Sequence, residues 1–313
     1  AKLMIFTQEV ERWGIPRLYD MGLFMLGPIL IRHGTEQQKQ EYLPKILSGE
    51  HRWAQGYSEP NAGSDLANLR TTAEPADGGF VINGQKIWTT FLDDATHMFV
   101  LARTGPGKRK QEGISFLLLD LSAPGVRPRL IRTLSGYDEL GEVFLDDVRV
   151  PADALVGPLH HGWSVAKDLL EFERVNNGSP KQGLQALRRL GSFAHEHGLD
   201  NDPWFLERFT RVRLDLEDQV SAYQHFSERV KRGEPVGAEI SMLKIWSTET
   251  FQRICNLLLE VAGELGVEID PTTGADQANG ALPQFYNSRP ATIYSGSSEV
   301  QRNIIAKRVL GLA

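Results

Sequence analysis

Residues 78–91 read GGFVINGQKIWTTF, and the pattern of this stretch decides the fold. Before it the chain is polar and spaced like helix. Here β-branched and aromatic residues take over, and a period near two replaces one near 3.6. Asn83-Gly84 is the strongest short hairpin signal, so two short strands are expected to turn about it. Lys86, in the second run, reads as a surface charge.

Downstream, THMFVLART (96–104), GISFLLLDL (113–121) and EVFLDDVRVP (142–151) read as further strands. Gly105-Pro106-Gly107, Pro124-Gly125 and Asp146-Asp147 read as the breaks between them. Strands this close in sequence, with no helical pattern between them, predict an antiparallel sheet or barrel. Upstream, residues 1–53 read as helical. Thr35 is placed to cap TEQQKQEYLPKILSGE, Leu43, Ile46 and Leu47 follow at helical spacing, Pro44 is expected to break the helix, and Gly49 to stop it. From 158 onward Phe205, Phe209, Val212, Leu216, Val220, Tyr223 and Val230 keep steps of mostly three and four, as do Ile240, Leu243, Ile254, Leu257 and Val261. Long amphipathic helices with short connections predict a bundle. DPTTGADQANGALPQ (270–284) reads as a loop before the final helix. The expected architecture is therefore a partial N-terminal α-helical domain (1–53), a central antiparallel β-domain (54–157) and a C-terminal helix bundle (158–313).

A chain of 313 residues has room for two or three domains. Its net charge of -6 does not favour a nucleic-acid surface, which shows a basic excess. The single cysteine, Cys255, lies in an apolar helical pattern; it allows no disulfide within one chain and no cysteine metal cluster. It reads as a small buried hydrophobe and suits a reducing compartment. No apolar run approaches the roughly 18 residues a membrane span needs. The first residues, AKLMIFTQEVERWGIP, meet acidic side chains too early for a signal peptide. A cytoplasmic chain without a membrane span is expected.

Four stretches carry a resemblance: WAQGYSEPNAGSDLANLRTTA (53–73), INGQKIWTT (82–90), DDVRVPADALVG (146–157) and IYSGSSEVQRNIIAKRVLGL (293–312). In this order and spacing they resemble the acyl-CoA dehydrogenases, flavoproteins with an α domain, a β domain and a C-terminal four-helix bundle. The likeness spans nearly the whole chain and is nearest in character to the pimeloyl-CoA and actinobacterial branches. It implies FAD, removal of a proton from Cα of an acyl-CoA thioester, transfer of a hydride from Cβ to the flavin, and electrons passed on to an electron-transfer flavoprotein. It also implies a tetramer, of one chain or mixed.

The resemblance assigns residues too. Gln55, Tyr57 and Ser58 would line the flavin, with Ser64 on the flavin or CoA side. Trp88 would lie against the ring and Thr90 would hydrogen-bond it. Ser297 stands at a flavin-contacting Thr. Glu299 stands where Gln is frequent, and an ionised Glu cannot donate a hydrogen bond. Asn61 replaces a usual Gly, a change Asn tolerates. Other departures concern the ADP half of a neighbouring subunit's FAD. The Arg-x-x-Phe-Gly turn is missing from HGLDNDPWFLERF (197–209), and LEVAGELG offers Glu260, Gly263 and Glu264 where a Gln and two glycines are usual. A weaker grip on FAD is expected there. Relatives also extend further at the N-terminus, so a less enclosed acyl pocket is expected.

The base is the open question. Ser295 stands where the family often has a carboxylate, and an unassisted hydroxyl stays protonated at neutral pH. The family's other solution is a Glu on the first bundle helix. The separation from Gly162 to Arg174 is twelve residues, the family's spacing, and puts Glu173 at that position. Read locally, Glu173 is a helical glutamate among other charges, and Lys167 with Glu171 makes an ordinary i,i+4 pair. A base at 173 needs burial against apolar surface to raise its pKa. The resemblance leaves Ser295 a backbone role, its N–H holding the thioester oxygen. Arg174 reads equally as orienter or plain ion pair, and His160 and His161 are assigned no role. Two alternatives stay open: a same-fold enzyme of different chemistry, as in a desulfinase, and a non-catalytic subunit of a mixed tetramer.

Overall fold

The computed structural model describes Glu9 and residues 21–136, 138–267 and 280–312; the side chains of residues 170–177 and 267 lie outside that description. The chain divides into two compact units. One holds Leu18–Thr133 and Tyr137–Phe172; the other is built mainly from Glu173–Ala313.

The first unit opens with a π-helical turn, Gly22–Leu26, leading into α1 (Gly27–His33) and then α2 (Glu36–Ser48). Thr35 caps α2 in a full capping box: its hydroxyl accepts from Gln38 N and the Gln38 side chain accepts from Thr35 N. Gly49 ends the helix in the left-handed region, φ 75°. Pro44 does not break α2, contrary to expectation. Its lost N–H bond is offset by caps at both ends and by burial of Ile46.

Eight strands form one sheet in the order β6-β7-β3-β2-β4-β5-β8, with β1 pairing β4 in parallel. They are β1 (Trp53–Gly56), β2 (Thr72–Ala76), β3 (Gly79–Thr90), β4 (His97–Arg103), β5 (Ile114–Asp120), β6 (Val126–Ile131), β7 (Leu140–Pro151) and β8 (Leu155–Val156). The neighbours pair antiparallel apart from β1–β4 and a single parallel pair between β2 and β4. In β4 and β5 the near-continuous apolar runs are buried throughout, as strands covered on both faces require. Phe99 and Phe116 stack between them at 5.4 Å. Leu26, Ile29, Leu30 and Ile46 from the helices join the same core, as do Val165, Ala166 and Leu169 from α3 (Gly162–Asn177). Asp168 fastens α3 to α1 through His33, at 2.7 Å, and Arg32.

The hairpin expected at Asn83-Gly84 is not there. β3 runs straight through it with a register shift, and the turn is Asp77-Gly78, between β2 and β3. The reason is tertiary. Asn83 exchanges two hydrogen bonds with Asp147 across β7, and a Cβ at Gly84 would lie 2.5 Å from the Thr71 hydroxyl. Asp146-Asp147 likewise lies inside β7, Asp147 at φ 52° forming the other half of that irregularity. β6, which sequence pattern did not reveal, is an edge strand with Pro128 between Arg127 and Arg129, and residues 127–130 are exposed.

The second unit contains α4 (Lys181–Glu196), α5 (Pro203–Lys231), α6 (Ser241–Ala262), α7 (Ala281–Ser288) and α8 (Ser298–Arg308). Asp202 caps α5 through Phe205 N. Ala186, Leu190, Phe205, Leu216, Ile254 and Leu258 fill its core. Cys255 is fully buried there, its thiol pushed up to about 12 by desolvation. Residues 281–284, read as loop, begin α7; residues 270–279 lie outside the described residues.

Candidate functional site

The sheet unit gathers most of the residues the sequence pointed to. β1 delivers Gln55 and leads into a tight polar loop at Tyr57–Asp65. Glu59 and Ala62 close that loop on each other with two 3.0 Å backbone bonds. The loop is tied to β3 by Ile87 N donating to Ser58 O at 3.0 Å, which sets Ser58 beside Trp88. Ser64 is exposed on the loop, and Gln55, Ser58 and Thr90 are half-buried.

Lys86 is the departure here. Far from being a surface charge, it is wholly buried, at 0% exposure. Its ammonium donates to Glu59 Oε1 at 2.8 Å, Leu101 O at 2.8 Å and Tyr57 O at 3.3 Å, so all three protons are used. Glu59 accepts in addition from Arg70 N at 2.6 Å and Thr71 N at 2.9 Å. Burial alone would raise the Glu59 carboxyl; the Lys86 charge and these donors outweigh it and hold the group below its ordinary range. Burial pulls Lys86 down to about 8 against the attraction of Glu59. A charge pair with every donor satisfied thus pins both ends of loop 57–71 to β3.

Immediately after Lys86 the strand changes register, and Trp88 lies in the left-handed region at φ 60°. That is an outlier for a bulky residue. The indole is 58% exposed, on a strand whose next residue, Thr89, is buried. A large aromatic is thus held out of the core at the expense of backbone strain, with its flat face open to a ligand. The Tyr57 ring points into the sheet core. It is 6% exposed and packs edge-on against Phe99 and Phe116, so its side chain belongs to the core and its carbonyl to Lys86.

Trp88→Asn separates fold from ligand. Asn accepts φ 60° readily, so the unfolding midpoint of the FAD-free protein should not fall. Affinity for FAD should drop by about 5- to 150-fold, since stacking on an aromatic is worth roughly 1–3 kcal/mol. Flavin fluorescence titration measures the second quantity and thermal unfolding the first. Unchanged FAD affinity would remove Trp88 from the site.

In the bundle unit the remaining residues cluster before α8. Ser295 is exposed, with φ 54°, and Gly296 follows at φ 83°. Among the described residues the exposed Ser295 N–H has no hydrogen-bond partner. The Gln301 side chain donates to Ser295 O at 3.3 Å and helps fix this turn. Ser297 is the N-cap of α8, its hydroxyl accepting from Val300 N at 3.3 Å. Glu299 sits exposed in the first turn. The N-terminal backbone of α8 and the Ser297 hydroxyl hold its carboxyl below the ordinary range. Glu173 lies on α3, and its side chain, like those of Glu171 and Arg174, is outside the described residues. His160, exposed, bonds Thr104 Oγ1 at 2.8 Å and so anchors its loop.

Among the described residues no group of three or more His, Cys, Asp or Glu is placed to hold a metal ion, and no helix is long and apolar enough to cross a membrane.

Comparison with known proteins gives one consistent answer. Residues 1–50, 54–148 and 160–310 match the N-terminal, middle and C-terminal domains of acyl-CoA dehydrogenase. The chain is 39% identical over 319 residues to the acyl-CoA dehydrogenase IpdE1 of Mycobacterium tuberculosis, covering 100% of this chain and 80% of that protein. To IpdE1 of Mycolicibacterium smegmatis it is 37% identical over 337 residues, covering 100% and 81%. The ChsE4-ChsE5 complex from Mycobacterium tuberculosis superposes with a TM-score of 0.87 at 32% identity, over 99% of this chain and 82% of that one. A steroid ACAD, Tcur3481-Tcur3483, superposes at 0.86 with 30% identity, over 94% and 76%.

Proposed function

The chain belongs to the acyl-CoA dehydrogenase family, an FAD-dependent oxidoreductase family, and from that membership we propose that it oxidises an acyl-CoA thioester to the 2,3-enoyl-CoA and delivers the electrons to an electron-transfer flavoprotein. When bound, FAD supplies the hydride acceptor. The chain's own residues do the rest. Trp88 and the loop carrying Ser58 position the ring, with Gln55 and Thr90 beside them. Ser64, Ser297 and Glu299 are further contacts in this reading. Glu173 takes the α-proton, and the Ser295 N–H binds the thioester oxygen, on which negative charge grows as that proton leaves.

The observation that carries this reading is Trp88, strained and exposed beside a loop that a buried ion pair holds in place. The test is optical. Purified protein should be yellow, and a saturated acyl-CoA added without oxygen should bleach it. Because one superposing structure is described as a steroid ACAD, ring-bearing acyl-CoA esters belong in the panel beside linear ones. A yellow protein that no acyl-CoA bleaches would overturn the proposal.

One observation favours a second reading. The carboxylate often found at position 295 is absent, and two of the superposing structures are named as pairs of proteins. In this reading the chain is the non-catalytic member of a mixed tetramer. It predicts a colourless protein that gains flavin only when co-expressed with its partner.

A further inference from the structure

The segment that carries Ser295 is tied on both sides and open in the middle. Upstream, Ile293 N and Tyr294 N both donate to Pro290 O, at 2.8 and 3.0 Å. Downstream, the Gln301 side chain donates to Ser295 O at 3.3 Å, and Gln301 N donates to Ser297 O at 2.9 Å. Between these anchors Ser295 and Gly296 both lie in the left-handed region, at φ 54° and 83°. Glycine takes that conformation freely; serine takes it at a cost. Such strain persists only where the surroundings over-determine it.

Gln301 supplies the downstream hold. Ser298 and Gln301 are the buried residues of α8, three apart and so on one face. The Gln301 amide lies directly against the turn: a Cβ on Gly296 would sit 2.6 Å from its Nε2. The core gains little from an amide there. Its Oε1 is buried without a hydrogen-bond partner among the described residues, a condition that costs folding free energy. Ser295 is exposed, so solvent can satisfy its carbonyl without help. An apolar side chain of the same length would suit the fold as well or better. The amide at 301 therefore serves the turn rather than the core.

Resting on the acyl-CoA reading above, we propose that Gln301 is a positioning residue: its amide fixes the Ser295–Gly296 peptide, and through it the aim of the Ser295 N–H at the thioester oxygen. Gln301 acts through Ser295 and not on the substrate itself. It denies a strained turn the freedom to relax, so that the donor is in place before negative charge grows on the oxygen.

Gln301→Met is the test. Methionine keeps the length, loses the donor and removes the unpaired oxygen, so the urea unfolding midpoint should stay level or rise. On the FAD-loaded protein, kcat and kcat/KM for an acyl-CoA should fall together by about tenfold with KM unchanged, the pattern of an interaction made in the transition state. The infrared C=O stretch of a bound 2,3-enoyl-CoA, isotope-labelled at the thioester carbonyl, reads hydrogen bonding at that oxygen directly. It should lie below its solution value in the wild type and move back towards that value in the variant. Gln301→Glu, isosteric and without a donor when ionised, should move it the same way. A wild-type rate and stretch in both variants would overturn the proposal and leave the dehydrogenase reading standing. So would slower variants whose unfolding midpoint drops while the bound carbonyl is unmoved, which makes Gln301 a structural residue. A raised KM with kcat unchanged would overturn it as well, by making Gln301 a binding residue. Wild-type protein that no acyl-CoA bleaches removes the reading and the proposal together.

Discussion

Glu173→Gln should give a protein that stays yellow, binds acyl-CoA, and is not bleached by it. The substitution keeps size and shape but removes the only property a base needs, an available lone pair on an anion. Loss of a positioned general base costs about 10²–10⁴ in rate. Rapid mixing under anaerobic conditions would read the bleaching rate, and a spectral shift with acyl-CoA would read binding. Ser295→Glu in the same background is the informative partner. It returns a carboxylate to the turn at φ 54° before α8, and part of the lost rate should return with it. Wild-type bleaching in Glu173→Gln would place the base elsewhere. Lost binding as well would make Glu173 a structural residue.

Lys86→Met should destabilise the protein by about 3–5 kcal/mol, because it leaves Glu59 buried and charged without its partner. That is several times the effect of cutting an exposed pair such as Arg211–Glu207, worth less than about 1 kcal/mol. Glu59→Gln should also destabilise, for a geometric reason. Its two oxygens serve Arg70 N, Thr71 N and Lys86, and an amide would present N–H to N–H at one of them. Urea unfolding of both single variants and the double gives the coupling. A near-zero coupling would mean that the pair holds nothing. The pH dependence has a defined sign. Glu59, lowered in the fold, contributes stability that is present above its ordinary 4.5 and fades as pH falls through its lowered value. Lys86, near 8 when folded against 10.5 when free, leaves the unfolded chain holding more protons between those values, so its term rises with pH across that window. FAD affinity should weaken in both variants, since the same pair holds the loop that carries Ser58 against β3.

What could be read from the sequence was local chemistry. The Thr35 cap, the Gly49 stop and the apolar runs of β4 and β5 need only neighbours a few residues away. What was misread depends on distant ones. Asn83-Gly84 makes a good hairpin until Asp147 and Thr71 occupy the space the turn would use. Asp146-Asp147 makes a good break until Asn83 satisfies Asp147 across the sheet. Pro44 breaks an isolated helix, not one capped at both ends and packed on a core. Lys86 did leave a trace: it shares the inward parity of Phe80 and Ile82 on β3, and a period of two puts it on the core face. Parity does not reveal whether a carboxylate waits inside. For the candidate site, motif order pointed to Trp88, Ser58 and the Ser295 turn. The burial of the Tyr57 ring had no signal of its own, because it is made by strands brought together only in the fold.

β6 has a bearing on how the protein behaves in concentrated solution. An outermost strand is an invitation to another chain, which can add itself by backbone pairing and begin an aggregate. This one carries Pro128, whose nitrogen has no proton to give, between the exposed Arg127 and an Arg129 that pairs with Glu142. Replacing that proline with a β-branched residue would leave the chemistry untouched while putting the monodispersity of the purified protein at risk.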